Sequence, residues 1–315
     1  MTRRNIFDIL VAGEINPDLI LSGNVIPEFG QVEQLVDSAG LTVGSSSAIF
    51  ACGAARLGLK VAFIGVCGAD FFGRFMLDEL SRAGVDVSGV IVDPILSTGL
   101  SVILSPGGSN PGERAILTHL GAIDRLQAEQ VTQTLLQKAR HLHVASYFLQ
   151  TALRPGLPEL FQRAHTLGLS TSLDTNWDPS GRWSGFAELL SRVDVFLPNQ
   201  KEALAISSAS TAERALQVLS RKCRVVVIKC GAAGALARRG DESARAAALP
   251  VQVVDTVGAG DSFDAGFLLG WLNGWSLERS LALAAACGSL STRAAGGTSA
   301  QPSLEEALQY VQIAG

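Results

Sequence analysis

Runs of consecutive apolar residues constrain this chain more than any other feature. Residues 225–228 read Val-Val-Val-Ile, with no polar alternation. A strand wetted on one face alternates apolar and polar side chains. A continuous apolar run needs cover on both faces, as in a parallel sheet. Further strand candidates lie at 6–13, 61–66, 141–146, 168–174 and 193–197. Between them run stretches of helical spacing near 46–57, 70–83, 126–139, 156–167, 212–222, 261–274, 277–292 and 303–313. This alternation predicts an α/β fold, a doubly wound and mostly parallel sheet between two helical layers. A length of 315 residues with 47% hydrophobic content can fill one such unit spanning 1–315.

Two regions, about 16–43 and 97–119, break the pattern. Asp18-Leu19-Ile20-Leu21-Ser22-Gly23 and Gly99-Leu100-Ser101-Val102-Ile103-Leu104 alternate along the chain. Such alternation predicts amphipathic strands that pair into a small antiparallel sheet. The stretch 105–112, with two prolines and three glycines, reads as a loop between two of those strands. A small sheet is marginal alone, so its open face is expected to cover a ligand as a lid or to pair with a second copy as a homodimer.

Bulk properties exclude several classes. The net charge is −4, from 25 basic and 29 acidic residues, and no basic block stands out. A nucleic-acid partner is therefore not expected, and Arg3-Arg4 and Arg238-Arg239 read as solvated surface. No apolar run reaches 18 residues, so no membrane helix is expected. The run after Arg4 contains Asp8 and is followed by Glu14, which suits an opening strand better than a signal peptide. Five dispersed cysteines without a C-x-x-C predict buried free thiols in the cytoplasm. His141 and His143 share one strand face, but no further ligands suggest a metal site.

The chemistry concentrates in Asp255-Thr256-Val257-Gly258-Ala259-Gly260-Asp261-Ser262-Phe263, read as lying between an apolar strand at 251–254 and an apolar helix. A Gly-x-Gly turn opening a helix leaves backbone N–H groups bare, and the helix dipole adds positive potential there. An anion fits that spot, and Asp261 in the first turn stands beside it. A carboxylate so placed is suited to take a proton from a hydroxyl attacking a phosphoryl group. Helix capping alone would also explain Asp261. The spacing is not that of a dinucleotide fingerprint, because Phe263 stands where the third glycine belongs. No Walker A, G-x-S-x-G or H-E-x-x-H string occurs.

The string Asp255 to Asp261 resembles the D-T-x-G-A-G-D signature of the ribokinase, or PfkB-type carbohydrate kinase, family. Other segments resemble that family in order over nearly the whole chain. The resemblance implies a ribokinase-like αβα fold with a β lid. It also implies transfer of phosphate from ATP to a hydroxyl of a sugar or nucleoside, with Mg²⁺ and in some members K⁺. Asp261 would be the catalytic base, with Gly258, Ala259 and Gly260 beside it in the catalytic turn and the N–H groups of Ala259, Gly260 and Asp261 stabilising charge on the transferred phosphoryl. Gly13-Glu14-Ile15-Asn16-Pro17-Asp18 resembles the segment that holds substrate hydroxyls, which assigns substrate binding to Asn16 and Asp18.

Asp174-Thr175-Asn176 resembles a strand end near the phosphates, and Pro198-Asn199-Gln200-Lys201-Glu202 resembles the N-x-x-E motif whose Glu organises Mg²⁺ through water. Lys229-Cys230-Gly231-Ala232-Ala233-Gly234 resembles the turn lining the nucleotide. ATP binding is thereby implied for Asn176, Asn199, Lys229, Gly231, Gly234, Gly258 and Gly260. Asp255 and Val257, with loop 291–299, resemble a monovalent-cation site. The family's first signature, G-G-x-x-x-N, is altered. Gly44 is read as its second glycine, with Val43 in place of the first, and Ile49 takes the place of the substrate-binding Asn. Ser45 to Ser47 are then expected to supply hydroxyls or a helix cap, with Gly44 and Ser45 at the substrate. With Tyr147 and Phe148 nearby, a nucleoside acceptor is the alternative to a sugar, and a nucleotide-binding sensor the alternative to an enzyme.

Overall fold

A computed structural model describes residues 6–106, 114–185 and 188–311. Arg3-Arg4, most of the 105–112 loop and the end of the 303–313 stretch lie outside the described residues.

The buried runs form one eight-stranded sheet. From one edge to the other its strands are β4 (Val61–Ile64), β1 (Phe7–Ala12), β9 (Ala139–Val144), β10 (Ser170–Leu173), β11 (Val195–Phe196), β12 (Val225–Lys229), β13 (Ala235–Arg239) and β14 (Glu242–Ala246). The first six are parallel to their neighbours, while β12, β13 and β14 form an antiparallel meander. Side chains alternate between the faces. Ile9 and Val11 of β1 belong to a core with α1 (Ser46–Arg56), α7 (Ala259–Leu272) and α8 (Leu277–Ser291). Leu10 and Ala12 join a second core with α4 (Leu157–Thr166) and α6 (Ala212–Leu219). A covered parallel sheet thus explains the unbroken apolar runs.

The chain also forms α2 (Phe71–Arg82), the short parallel pair β5 (Val66–Gly68) and β6 (Ile91–Asp93), and the helices α3 (Gln133–Leu136), α5 (Gln200–Ser207) and α9 (Leu304–Leu308). The amphipathic regions meet in a four-stranded sheet of order β3 (Ser38–Val43), β2 (Pro17–Ser22), β7 (Leu100–Ser105) and β8 (Ala115–His119). Its outer pairs are antiparallel as expected, but its central β2–β7 pair is parallel. The two hairpin-like units enter from distant parts of the chain and join side by side.

Two other expectations are corrected. The helix expected over 126–139 is only a single 3₁₀ turn at Ala128–Gln130 followed by α3. The Arg163 guanidinium takes the carbonyls of Ala128 and Val131 at 2.7 and 3.2 Å, removing acceptors that a continuous helix needs. Residues 251–254 do not form a strand. Val254 N–H donates to Thr292 O at 2.8 Å, so the segment is tied to the end of α8 rather than to the sheet.

His141 and His143 are fully buried, and both bond the Ser172 hydroxyl at 2.7 Å. Burial pushes His141 down to about 3, so both rings are neutral packing groups between β9 and β10. All five cysteines are free thiols. Among the described residues, no helix is long and apolar enough to cross a membrane.

Candidate active site

The glycine turn is forced by crowding. Gly258 caps α7 at φ 70°, and a Cβ there would lie 2.7 Å from Gly297 Cα and 2.8 Å from Ile49 Cγ2. Ala259 N–H donates to Thr256 O at 3.3 Å, so it is committed within the turn. Among the described residues, the N–H groups of Gly260 and Asp261 have no acceptor. The anion hole therefore offers two bare amides rather than the three expected, at the positive end of a 14-residue helix.

Asp261 is buried beside them and lines a cavity. Burial lifts its carboxyl well above the usual carboxylate range, reinforced by the charges of Asp174 and Glu14. Lys229 and a hydrogen bond from the Ser46 hydroxyl oppose that rise. One turn along α7, Asp264 is 1% exposed and pairs with Lys229 Nζ at 3.0 and 3.1 Å. Asp174 takes the same ammonium at 3.0 Å. Burial disfavours charge on Lys229, but Asp174, Asp264, Glu202 and Asp261 override it and hold the ammonium above the ordinary lysine range. Asp264 is also raised by burial, against Lys229, with the charge of Asp174 adding to the rise. The lysine thus knits the ends of β10 and β12 to the start of α7. Asp264 was not singled out from sequence, although Asp261 and Asp264 stand at i and i+3 on one helix face.

Two cavities meet at this junction, of about 580 and 500 Å³. Lys229, Gly231, Thr256 and Gly260 line both. The first is mainly apolar, with Leu249, Val251, Val253 and Phe263 on its walls, and Gly234 also lines it. Gly231 (φ 58°) leaves open space where a side chain would stand. Gly234 is required for packing, since a Cβ would overlap the Ala246 carbonyl of β14. The second cavity is polar and holds Asn16, Asp18, Ser45, Asn176, Asn199 and Glu202. Asn176 and Asn199, assigned to the nucleotide by resemblance, thus line the Asp261 cavity and not the apolar one.

At the lid end, Asp18 is 6% exposed. Burial pushes its carboxyl up to about 7, with Asp255 and Glu14 adding to the rise and Arg114 opposing it. Asn16 Nδ2 lies 3.4 Å from Ser101 Oγ and 3.5 Å from Asp18 Oδ1. A Cβ at Gly44 would overlap the Asp18 carboxylate, which explains the glycine.

The signature register shifts by one residue. A six-position G-G-x-x-x-N ending on Ile49 begins at Gly44, so Ser45 occupies the second glycine position. Ser45 holds that backbone at φ 66°, bonds Glu14 O at 2.6 Å and caps α1 through Ala48 N–H at 3.1 Å. Ile49 packs on the bare faces of Gly258 and Gly297. Glu14, unnoticed in the sequence, is 2% exposed and accepts bonds from Ser47 N–H at 3.2 Å, from the Ser47 hydroxyl and from Ser146 Oγ at 2.7 Å.

Glu202 forms a capping box with Asn199 at the start of α5 and also accepts Thr175 Oγ1 at 3.2 Å. Burial and Asp174 push its carboxyl up to about 7, against Lys229. No cluster of three or more described His, Cys, Asp or Glu is arranged to hold an ion by itself. Asp255 accepts the N–H groups of Val257 and Gly296 at 3.0 and 2.9 Å, pinning the turn to loop 291–299. Arg114, at the start of the lid's β8, reaches Thr256 Oγ1 at 3.3 Å and Asp255 at 3.9 Å.

Known proteins carry the same architecture. The family model of pfkB family carbohydrate kinases matches residues 7–304. An ATP-dependent ribose-1-phosphate kinase of Halopiger xanaduensis is 30% identical over 93% of this chain and 94% of its own. An adenosine kinase structure from Sinorhizobium meliloti superposes with a TM-score of 0.83 at 26% identity, covering 96% of this chain and 99% of that one. An Arabidopsis thaliana ribokinase complexed with ribose and ATP shares the fold, with a TM-score of 0.83 at 22% identity over 98% of this chain and 99% of that one. With the bare-amide turn, the buried acidic group and the paired cavities, these matches place the chain in the pfkB family of carbohydrate kinases, as a kinase of sugars or nucleosides.

Proposed function

We propose that the protein transfers the terminal phosphoryl group of ATP to a hydroxyl of a small sugar or sugar-like acceptor, with Asp261 as the base. One observation carries this reading: Asp261 lies in the polar cavity beside two bare amides, next to Gly260, which also lines the apolar cavity. The apolar cavity suits the adenine and ribose, and the polar one suits the acceptor. Asp261 takes the hydroxyl proton as the oxygen bonds to the γ-phosphorus. The bond from that phosphorus to the bridging oxygen breaks, and ADP departs. The N–H groups of Gly260 and Asp261 hold the charge on the moving group. Glu202 would orient the water of a bound Mg²⁺, which would supply neutralisation of phosphate charge. A carboxylate raised by burial is a stronger base than a free one, and Lys229 opposes the rise.

Asp261→Asn tests the reading. Turnover is expected to fall between roughly a hundredfold and ten-thousandfold, the usual worth of a positioned base. Near-normal turnover in the folded variant would remove Asp261 from that role.

A nucleoside acceptor is the second reading, favoured by the apolar side chains Ile49, Ile103 and Ile123 and by Trp177 in the acceptor cavity. A panel of D-ribose, D-fructose, 2-dehydro-3-deoxygluconate and adenosine, assayed by ADP release, decides between them. ATP binding without transfer to any acceptor would point to a sensor. K⁺ belongs at Asp255 and Val257 with the carbonyls of loop 291–299, and replacing potassium by tetramethylammonium is expected to lower activity. Unchanged activity would remove the cation. A cytoplasmic location fits five free thiols and the use of ATP. We also infer a homodimer joined through the lid, and one catalytic unit over residues 1–315.

A further inference from the structure

Asn176 joins Ser46, at the head of α1, to a hydrogen-bonded chain that ends on Glu14. Asn176 Nδ2 donates to Ser46 Oγ and, at 2.8 Å, to Ser146 Oγ. The Ser146 hydroxyl donates to Glu14 Oε1 at 2.7 Å.

The Ser146 hydroxyl spends its one proton on Glu14, so it must accept from Asn176. The same Nδ2 faces Ser46 Oγ, which fixes the orientation of the Asn176 carboxamide. Both Nδ2 hydrogens are committed, and only Oδ1 is left to meet a ligand. Among the described residues nothing donates to Oδ1, and Asn176 lines the acceptor cavity.

The backbone is strained to build this arrangement. Ser146 and Asn176 sit at φ 51° and 53°, and Ser45, next to Ser46, at φ 66°. Left-handed geometry costs a non-glycine residue on the order of 1 kcal/mol, and such strain collects where function needs it. Meanwhile Ile49, at the position of the signature carboxamide, packs on Gly258 and Gly297 and has no polar atom to offer.

We propose that Asn176 replaces the carboxamide lost at Ile49. Held by Ser46 and Ser146 in the cavity that Asp261 lines, it presents Oδ1 to a hydroxyl next to the one that reacts. The acceptor class implied is a vicinal diol, with one hydroxyl on Asp261 and its neighbour on Asn176. Ser46, Ser146 and Glu14 are positioning residues. This rests on the reading of Asp261 as the base. It also departs from the nucleotide role that resemblance gave Asn176.

The groups facing Asp261 are Asp174 and Lys229 from the sheet ends, Glu14 beyond β1, Ser46 at the head of α1, and Asp264 on its own helix. Removing a donor from a carboxylate raises its pKa, and removing a neighbouring negative charge lowers it.

Steady-state kinetics with Mg-ATP and the best acceptor of the four-member panel test the proposal. Asn176→Ala is expected to raise the acceptor KM and lower kcat, each at least tenfold, with the KM for ATP within twofold. Ser146→Ala, which takes away one acceptor of Nδ2, is expected to raise the acceptor KM with the KM for ATP within twofold, and Glu14→Gln to move the acidic limb of the kcat/KM profile to lower pH. Should Asn176→Ala fail to fold, Asn176→Asp keeps the size, tolerates the left-handed backbone and loses both donors, so the same acceptor defect is expected. A rise in KM for ATP with acceptor terms unchanged, or an acceptor KM unmoved in Ser146→Ala, would overturn the proposal. An inactive Asp261→Asn beside those null results sinks the role of Asn176 alone. An active Asp261→Asn sinks the base itself.

Discussion

Asp18 shows how much one buried carboxyl governs. Its pKa of about 7 comes first from burial and then from Asp255 and Glu14, with Arg114 opposing. In the unfolded chain the same group titrates near the ordinary value of 3.8. Between those values the native state holds a proton that the unfolded state has released, so Asp18 makes stability fall as pH rises from about 4 to about 7. Asn has no such proton. Asp18→Asn should therefore gain stability relative to wild type as pH goes from 4.5 to 7.5, by on the order of 2–4 kcal/mol, in urea unfolding of the unliganded protein. A constant difference at the two pH values would contradict the assignment. Resemblance assigned Asp18 to the substrate, and Asp18 lines the polar cavity together with Asp261. What the sequence did not disclose is the company. Glu14 looked like one more residue after a strand, and its weight depends on Ser47 and Ser146, 33 and 132 positions away. Asp261 was legible because its glycine turn is a local device. Asp264 was not, because its partner Lys229 sits on another strand.

Elements were legible where one force decided them. The apolar runs became strands because the sheet is covered on both faces, and Val225 to Ile228 are wholly buried. Elements failed to follow local pattern where a distant side chain intervened, as Arg163 does at 128–131. The hairpin at the nucleotide edge tests the opposite case, an element set by a single backbone position. Gly234 has φ 86° and ψ −133°, a region essentially restricted to glycine, with the Ala246 carbonyl where a Cβ would go. Gly234→Ala is expected to cost at least ~2 kcal/mol, since strain and overlap add. It should also weaken ATP binding, because the displaced turn lines the apolar cavity. Thermal unfolding and ATP titration measure the two effects. A variant with both unchanged would show that this turn does not shape the cavity.

At the scale of the whole molecule, the lid is an incomplete structure. β8 is an edge strand with all five residues exposed, so its outer backbone groups face water. Ile116 lines the acceptor cavity, and Leu117, pointing the other way, is 62% exposed. The β2–β3 connection adds Phe29 at 98% and Leu35 at 82% exposed. A single chain gains nothing by leaving large apolar groups in water beside an unpaired edge, whereas two copies related by a twofold axis could bury both. One face of the lid would then close the acceptor cavity while the other joined the partner. Sedimentation equilibrium at tens of micromolar should return twice the 33.0 kDa chain mass. Leu117→Asp should return the single mass, because a charge at the centre of an apolar contact is not compensated. If lid pairing also steadies closure, that variant will raise the acceptor KM while leaving the ATP KM near wild type, since Leu117 does not line the apolar cavity. A wild-type protein that sediments as a monomer would refute the pairing and leave the lid to close as a single flap.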